Sequence, residues 1–154
     1  MTKRVGAALL VLLAVAAVGR SGEKDIVERI EKAGGSVGAA GDEPDVAPAR
    51  RTGLVVHLRP NATDADLGEL CELRRLEALG LAGTDVTDAG LETVSKLTGL
   101  ERLSLNFTGV SDEGLRHLES LSDLRALYLF HCPNVTDEGV ARLQKALPSC
   151  KIRR

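Results

Sequence analysis

Leucines that recur at a fixed interval constrain the fold of this chain more than any other feature. Leu79, Leu103 and Leu127 are 24 residues apart, and each is followed two positions later by another leucine. A repeat of this length is typical of proteins built from stacked supersecondary units, because a single unit cannot bury its leucines alone. The sequence therefore predicts a repeat architecture.

Within each copy, the spacing of apolar residues predicts a strand followed by a helix. Leu103 and Leu105 are two apart and lie on one face of a strand, since successive side chains alternate. The spacing then changes to three, as in Leu115, Leu118 and Leu121, which is typical of a helix facing a core. Stacked copies would thus place a parallel sheet against a row of helices.

Acidic residues recur where these helices begin, and their position predicts helix capping. A side-chain oxygen of Asp or Thr there accepts a hydrogen bond from a free amide, and a carboxylate suits the positive end of the helix dipole. The alternative, a calcium site, needs a denser alternation of carboxylates than these loops contain. The acidic residues concerned are Asp88, Asp112, Glu113, Asp137 and Glu138.

The stretch from Leu100 to Val110, LERLSLNFTGV, resembles the leucine-rich repeat, whose consensus is L-x-x-L-x-L-x-x-N/C-x-L. The stretch from Cys132 to Val140, CPNVTDEGV, is similar to the cysteine-containing subtype of F-box substrate receptors and exported bacterial repeat proteins. This resemblance implies an α/β fold. It would be a short solenoid with parallel strands on the concave face, helices on the convex face and an N-terminal capping helix.

The first 19 residues have the order of a secretory signal peptide. Lys3 and Arg4 precede an uncharged apolar run that ends at Val18. The run is shorter than a membrane-spanning helix needs, which favours cleavage after Gly19; a retained signal anchor is the alternative. We expect an exported protein, periplasmic or secreted, that meets a membrane only through this segment.

The rest of the chain divides into three segments. Helical spacing of apolar residues predicts a capping helix in residues 20–35, ended by Gly34 and Gly35. Glycine, proline and mixed charges predict a flexible loop or linker in residues 36–53. Residues 54–154 would hold three full repeats with a partial copy at each end, and we expect a monomer.

Charge and motif content argue against several functions. A formal net charge of -2 gives no electrostatic reason to expect nucleic acid as a partner. His57, His117 and His131 belong to different repeats, and no nucleophile or metal-ligand motif surrounds them. We therefore expect no catalytic residue, no metal and no cofactor.

The three cysteines are too few and too scattered for a disulfide framework. Cys132 is interpreted as a buried residue of the repeat, where a small side chain meets turn backbone. A bridge between Cys132 and Cys150 is the alternative, and no role is assigned to Cys71.

Residues that alternate with the strand leucines point onto the concave face and form rows across the repeats. The rows are Val55, Ala78, Arg102 and Ala126; His57, Gly80, Ser104 and Tyr128; and Arg59, Ala82, Asn106 and Phe130. Because Tyr and Arg are typical interface anchors, we predict a partner-binding site on this face. Its members are His57, Arg59, Arg102, Ser104, Asn106, Tyr128 and Phe130. The alternative is that Phe130, with Phe107, folds over the sheet edge as part of a C-terminal cap.

These features favour an exported, non-enzymatic leucine-rich-repeat module that recognises a protein or peptide on its concave face. One alternative is a substrate-recruiting adaptor similar to the F-box leucine-rich-repeat receptors of ubiquitin ligases, against which the signal segment argues. The other is a structural or glycan-binding repeat protein of the cell envelope.

Overall fold

The computed structural model describes residues 21–39, 53–73 and 75–154. The predicted signal peptide and most of the predicted linker lie outside these ranges. The helices are α1 (Ser21–Lys32), α2 (Asp88–Val94), α3 (Asp112–His117) and α4 (Asp137–Ala146), with 3₁₀ segments at Asp64–Glu72 and Leu118–Ser120. The strands are β1 (Ser36–Ala39), β2 (Leu54–His57), β3 (Leu76–Gly80), β4 (Arg102–Ser104), β5 (Ala126–Tyr128) and β6 (Lys151–Arg153).

The six strands form one sheet in chain order, from β1 to β6. The β1 strand is antiparallel to β2, and every later pair is parallel. Parallel neighbours need a crossover, which the helical segments between the strands supply. The predicted register is confirmed, since Leu79 pairs with Leu103, Leu103 with Leu127, and Leu127 with Ile152.

The main core contains the inward leucines of the sheet together with the apolar faces of the helices. Leu103 in β4 and Leu105 just after it are fully buried. Leu115 in α3 and Leu118 in the 3₁₀ segment that follows are buried as well. Burying one such side chain contributes about 1.5–3 kcal/mol. The predicted change of spacing from two to three therefore marks the two halves of one core.

The helix predicted in residues 20–35 is observed as α1. Its apolar residues Ile26, Val27 and Ile30 are buried in the same core as the repeats. The helix ends at Lys32. In the turn that follows, Gly34 has a φ of 90°, which glycine adopts at little cost, and the Gly35 amide donates to the Ile30 carbonyl at 2.9 Å. Among the described residues, none of the helices has the length and apolar character that spanning a bilayer requires.

The loop predicted in residues 36–53 is wrong for its first four residues, which form β1. Val37 is buried and lies opposite Val56 of β2. A four-residue strand of small side chains has little intrinsic strand propensity, and its pairing with β2 depends on the tertiary structure. Residues 40–52 of the predicted loop lie outside the described ranges.

Candidate functional site

Aspartates at the helix starts join each repeat to the next. The Ser111 amide donates to Oδ1 of Asp88 at 2.7 Å, and the Ser111 hydroxyl donates to Oδ2 at 2.6 Å. Thr87 donates in the same way to Asp64, and Thr136 to Asp112. We call these three paired contacts the aspartate ladder.

The prediction that Thr at these positions caps a helix is confirmed, whereas capping by the Asp side chain is wrong. Thr87, Ser111 and Thr136 are the N-cap residues, and the Ser111 hydroxyl accepts from the Glu113 amide at 3.3 Å. Each ladder carboxylate reaches toward the following repeat instead. The prediction that aspartate caps its own helix failed because the spacing of residues within one repeat does not reveal a hydrogen bond between two repeats.

The ladder also explains why glycine follows the aspartate in the pattern D-x-G. A Cβ atom at Gly114 would overlap the carboxylate of Asp88 from the preceding repeat. Gly90 and Gly139 stand in the same relation to Asp64 and Asp112. These glycines therefore make room for a neighbour's side chain.

The first and last copies of the repeat carry acidic residues that are used differently from the three aspartates of the ladder. In the first copy, Asp66 stands at the position that glycine holds later, and its carboxylate accepts from the Thr63 amide at 2.8 Å. In the last copy, the Asp137 side chain is 99% exposed and pairs with Arg154. In the interior, hydrogen bonds from Thr136 lower the pKa of Asp112 from its ordinary value of 3.8.

The turn after each strand buries a small polar side chain. The Thr108 hydroxyl donates to the Leu105 carbonyl at 2.7 Å, and the Cys132 thiol of the next copy donates to the same carbonyl at 3.0 Å. The predicted buried position of Cys132 is thus confirmed. Cys132 and Cys150 are both free thiols, so the alternative bridge is absent. Burial raises the pKa of Cys150 to about 11, which makes that thiol a poor nucleophile near neutral pH.

One turn position is left-handed in three successive copies. Its φ is 68° at Gly83, 58° at Phe107 and 58° at His131. The Phe107 and His131 rings stack, with centroids 4.6 Å apart and planes inclined by 16°. Bulky residues rarely adopt this backbone conformation.

Phe107, Phe130 and His131 form what we call the aromatic rim. The Phe107 amide donates to the Phe130 carbonyl at 2.9 Å, which brings the two turns together. Phe107 is 62% exposed and Phe130 is 40% exposed. Both phenylalanines therefore lie outside the buried core.

The strand residues that point away from the leucines form a second surface, which we call the open face. Two of the three predicted rows are confirmed in the sheet, where Arg102 lies beside Ala78 and Ala126, and Ser104 beside Gly80 and Tyr128; the predicted row that contains Arg59 lies beyond the strand ends. The β6 strand extends both rows. The open face comprises Gly38, Val55, Ala78, Arg102, Ala126 and Lys151 in one row, and Ser36, His57, Gly80, Ser104, Tyr128 and Arg153 in the other.

Two cations of the open face were missed by the sequence reasoning. Lys151 pairs with Ala126, and Arg153 pairs with Tyr128. The Arg153 guanidinium carbon lies 5.9 Å from the centre of the Tyr128 ring, within the range of a cation–π contact. The signal was present in the sequence, because Ile152 falls on the strand position of Leu103 and its two neighbours must then face outward.

Two predicted site residues also form contacts within the fold. The Asn106 side chain accepts from the Phe130 amide at 2.9 Å and so helps to hold the aromatic rim. The Arg59 side chain donates to the Ala33 carbonyl at 3.0 Å and lies 3.6 Å from the Asp66 carboxylate. Asn106 is thus beside the aromatic residues, whereas Arg59 lies near the end of α1.

Of the predicted site, the structure brings His57, Arg102, Ser104 and Tyr128 together around a cavity of about 60 Å³ on the open face. His57 lies on β2, and a Cβ atom at Gly80 would overlap its imidazole ring. The three histidines lie on β2, at the end of α3 and in the turn after β5. Within the described part of the chain, no group of three His, Cys, Asp or Glu side chains could hold a metal ion.

A cavity of about 190 Å³ lies between α1 and the first 3₁₀ helix. Its charged lining residues pair with one another, Arg29 with Glu69 and Arg59 with Asp66. These pairs account for the charges without a ligand. The open face and the aromatic rim are therefore the candidate site.

Comparison with known proteins identifies part of the chain. No curated protein matches the sequence. A leucine-rich-repeat protein of Leptospira interrogans is similar in structure, with a TM-score of 0.41 and 23% sequence identity; the match covers 56% of this chain and 27% of that one. Residues 96–118 and 120–143 match the family model described as Leucine Rich repeat. These two segments, which contain β4, α3, β5 and most of α4, are similar to leucine-rich repeats.

Proposed function

We propose that this chain is a non-enzymatic binding module of the cysteine-containing leucine-rich-repeat subtype, which recognises a protein or peptide on a concave face. Leucine-rich repeats commonly serve as protein-interaction modules, and here the open face would be the concave one. The observation that carries the proposal is a contrast between polar residues. Those that recur from copy to copy lie at the helix starts, whereas Tyr128, Arg102 and Arg153 occur once each and lie together on the open face.

The composition of the open face and the aromatic rim supports a binding role. The chain has three aromatic residues, Phe107, Tyr128 and Phe130, and all of them lie in two adjacent repeats, away from the main core. Aromatic and arginine side chains carry a large share of the binding energy at protein interfaces. Their concentration in one region favours the C-terminal repeats as the contact surface.

Backbone strain in the aromatic rim points in the same direction. A bulky residue in the left-handed region costs about 1–3 kcal/mol, which glycine avoids. Phe107 and His131 adopt this conformation, yet both are exposed, so burial in the core does not offset the cost. A contact made with a partner gives a reason for these two rings to occupy the turn position that Gly83 holds in the first of the three copies.

A photocrosslinking experiment in expressing cells tests this proposal. The full chain would carry p-benzoylphenylalanine in place of Tyr128, and in a matched control in place of the exposed helix residue His117. We expect a discrete adduct from position 128 and none from position 117. An adduct from position 117 alone would assign recognition to the helices and contradict the proposal.

We also propose that the first 19 residues direct export. The support is the sequence pattern of Lys3, Arg4 and the apolar run that follows. N-terminal sequencing of the fractionated protein should find a mature start at Arg20 outside the cytoplasm. An intact Met1 in the membrane fraction would instead indicate a retained anchor, and an intact Met1 in the cytosol would contradict export.

A further inference from the structure

The open face carries cations and no carboxylates in its two rows. Arg102 on β4 and Lys151 and Arg153 on β6 all belong to these rows, and none of the twelve row positions is Asp or Glu. The whole chain has 22 acidic and 20 basic residues, so its overall composition is not basic. The positive charge is a local property of the last three strands.

The spacing of these cations suits an extended polypeptide. Neighbouring strands lie about 4.8 Å apart and residues rise about 3.3 Å along a strand, which separates the Cα atoms of Arg102 and Arg153 by about 12 Å. Tyr128 lies on the strand between them. In an extended peptide, residues four apart are separated by about 13 Å and project from the same side. Two such side chains could meet the two arginines while the residue midway between them contacts Tyr128.

The part of the open face that carries the cations Arg102, Lys151 and Arg153 is bounded on two sides. Glu77 and Glu101 lie near the amino-terminal ends of β3 and β4, and Glu101 lies 3.6 Å from the Arg125 side chain. The aromatic rim lies beyond the carboxyl ends of β4 and β5. A few cations within such bounds suit a short acidic segment better than a long phosphate backbone, which requires an extended basic surface.

We infer that the partner presents an extended acidic segment, with two carboxylates that meet Arg102 and Arg153 across Tyr128. This inference rests on the proposed function, since it names the chemistry of the segment bound on that face. Charge complementarity of this kind raises association rates and discriminates against basic segments.

A library of random 12-residue peptides, displayed and selected on the immobilised full chain, tests the inference. We expect the selected peptides to be enriched in Asp and Glu. The K151E/R153E variant should lose this enrichment. The matched control K96E/K145E changes the net charge equally on the helical side and should keep it. Should the charge reversal not fold, as judged by circular dichroism, K151Q/R153Q replaces it.

A selected acidic peptide, labelled with fluorescein, gives the quantitative result by anisotropy. We expect K151E/R153E to weaken binding by about tenfold or more, and K96E/K145E by less than about twofold. Peptides that depend on Tyr128 but show no acidic enrichment would overturn this inference and leave the proposed function standing. Peptides that depend on neither Tyr128 nor the two cations would overturn the proposed function as well. Heparin that binds more tightly than any peptide, with no loss in Y128A, would assign the surface to polyanions and overturn the inference.

Discussion

The aspartate ladder and the open face are two polar surfaces of the same repeats, and they differ in how their side chains are used. Asp64, Asp88 and Asp112 each accept two hydrogen bonds from the following repeat. Tyr128 and Arg153 on the open face contact each other and lie on exposed or half-exposed strand positions. In a repeat protein, then, a polar residue that recurs in every copy indicates a bond between copies, and one that occurs once is the better candidate for recognition.

The largest effect should follow from filling the space that a ladder glycine leaves. In Gly114→Ala the new Cβ would displace the Asp88 carboxylate, and both hydrogen bonds from Ser111 would be lost. We expect a loss of about 2 kcal/mol in the free energy of unfolding, although alanine favours helix formation over glycine. Urea denaturation of the wild type and the variant measures this difference in the free energy of unfolding.

Gly99→Ala is the control for this substitution, because nothing lies within 4 Å of a Cβ atom at Gly99. Its free energy of unfolding should change by less than about 0.5 kcal/mol. Equal effects of the two substitutions would contradict the role assigned to Gly114.

Removing one ladder charge should cost slightly less. In Asp112→Asn the side chain keeps one acceptor oxygen for the two donors of Thr136, and we expect a loss of about 1.5 kcal/mol. Asp137→Asn at the exposed end of the ladder removes only a surface ion pair and should cost less than about 0.5 kcal/mol. Both values follow from urea denaturation at pH 7. A larger loss in the Asp137 variant would contradict the proposal that an aspartate stabilises the fold through its hydrogen bonds to the following repeat.

The same aspartate predicts a pH dependence. The pKa of Asp112 is lower in the folded chain than its ordinary value of 3.8, because Thr136 donates two hydrogen bonds to the carboxylate. The stability it contributes is therefore present above pH 3.8 and is lost as the pH falls through the lower folded value. Urea denaturation between pH 7 and pH 2 should show the difference between the wild type and Asp112→Asn narrowing in that acidic range. A constant difference would contradict this assignment.

A substitution on the open face should affect binding and leave stability nearly unchanged. Tyr128→Ala removes a half-buried outward ring that contacts the exposed Arg153 side chain, so we expect the free energy of unfolding to change by less than about 1 kcal/mol. Binding of a selected peptide should weaken by about tenfold, measured by anisotropy. A variant that loses stability but not affinity would place Tyr128 with the structural residues.

The smallest effect should be a gain in stability. Phe107→Gly puts the residue that Gly83 already provides at the left-handed position, and it relieves backbone strain while losing the stack on His131. We expect a net gain of about 0.5 kcal/mol together with weaker peptide binding. A loss of stability with unchanged binding would mean that the stacked rings serve the fold.

Much of the fold could be predicted from local sequence patterns. Alternation at Leu103 and Leu105 identified the strands, the change to a spacing of three identified the helices, and Ile152 marked the last strand. These features depend on which side chains must be buried, and burial patterns are encoded along the chain itself. The rows that contain Arg102 and Tyr128 followed from the same alternation.

Only the tertiary structure decided where the polar side chains go. Three contacts join residues that are distant in sequence: the hydrogen bond that Ser111 donates to Asp88, the stack of Phe107 on His131 and the strand pairing of Val37. Such contacts depend on how one repeat is placed on the next, and no local spacing specifies that distance. The sequence by itself determined which residues form the repeats and their core. The stacking of the repeats decided which polar residues bond to each other and which, such as Arg153, are presented on the open face.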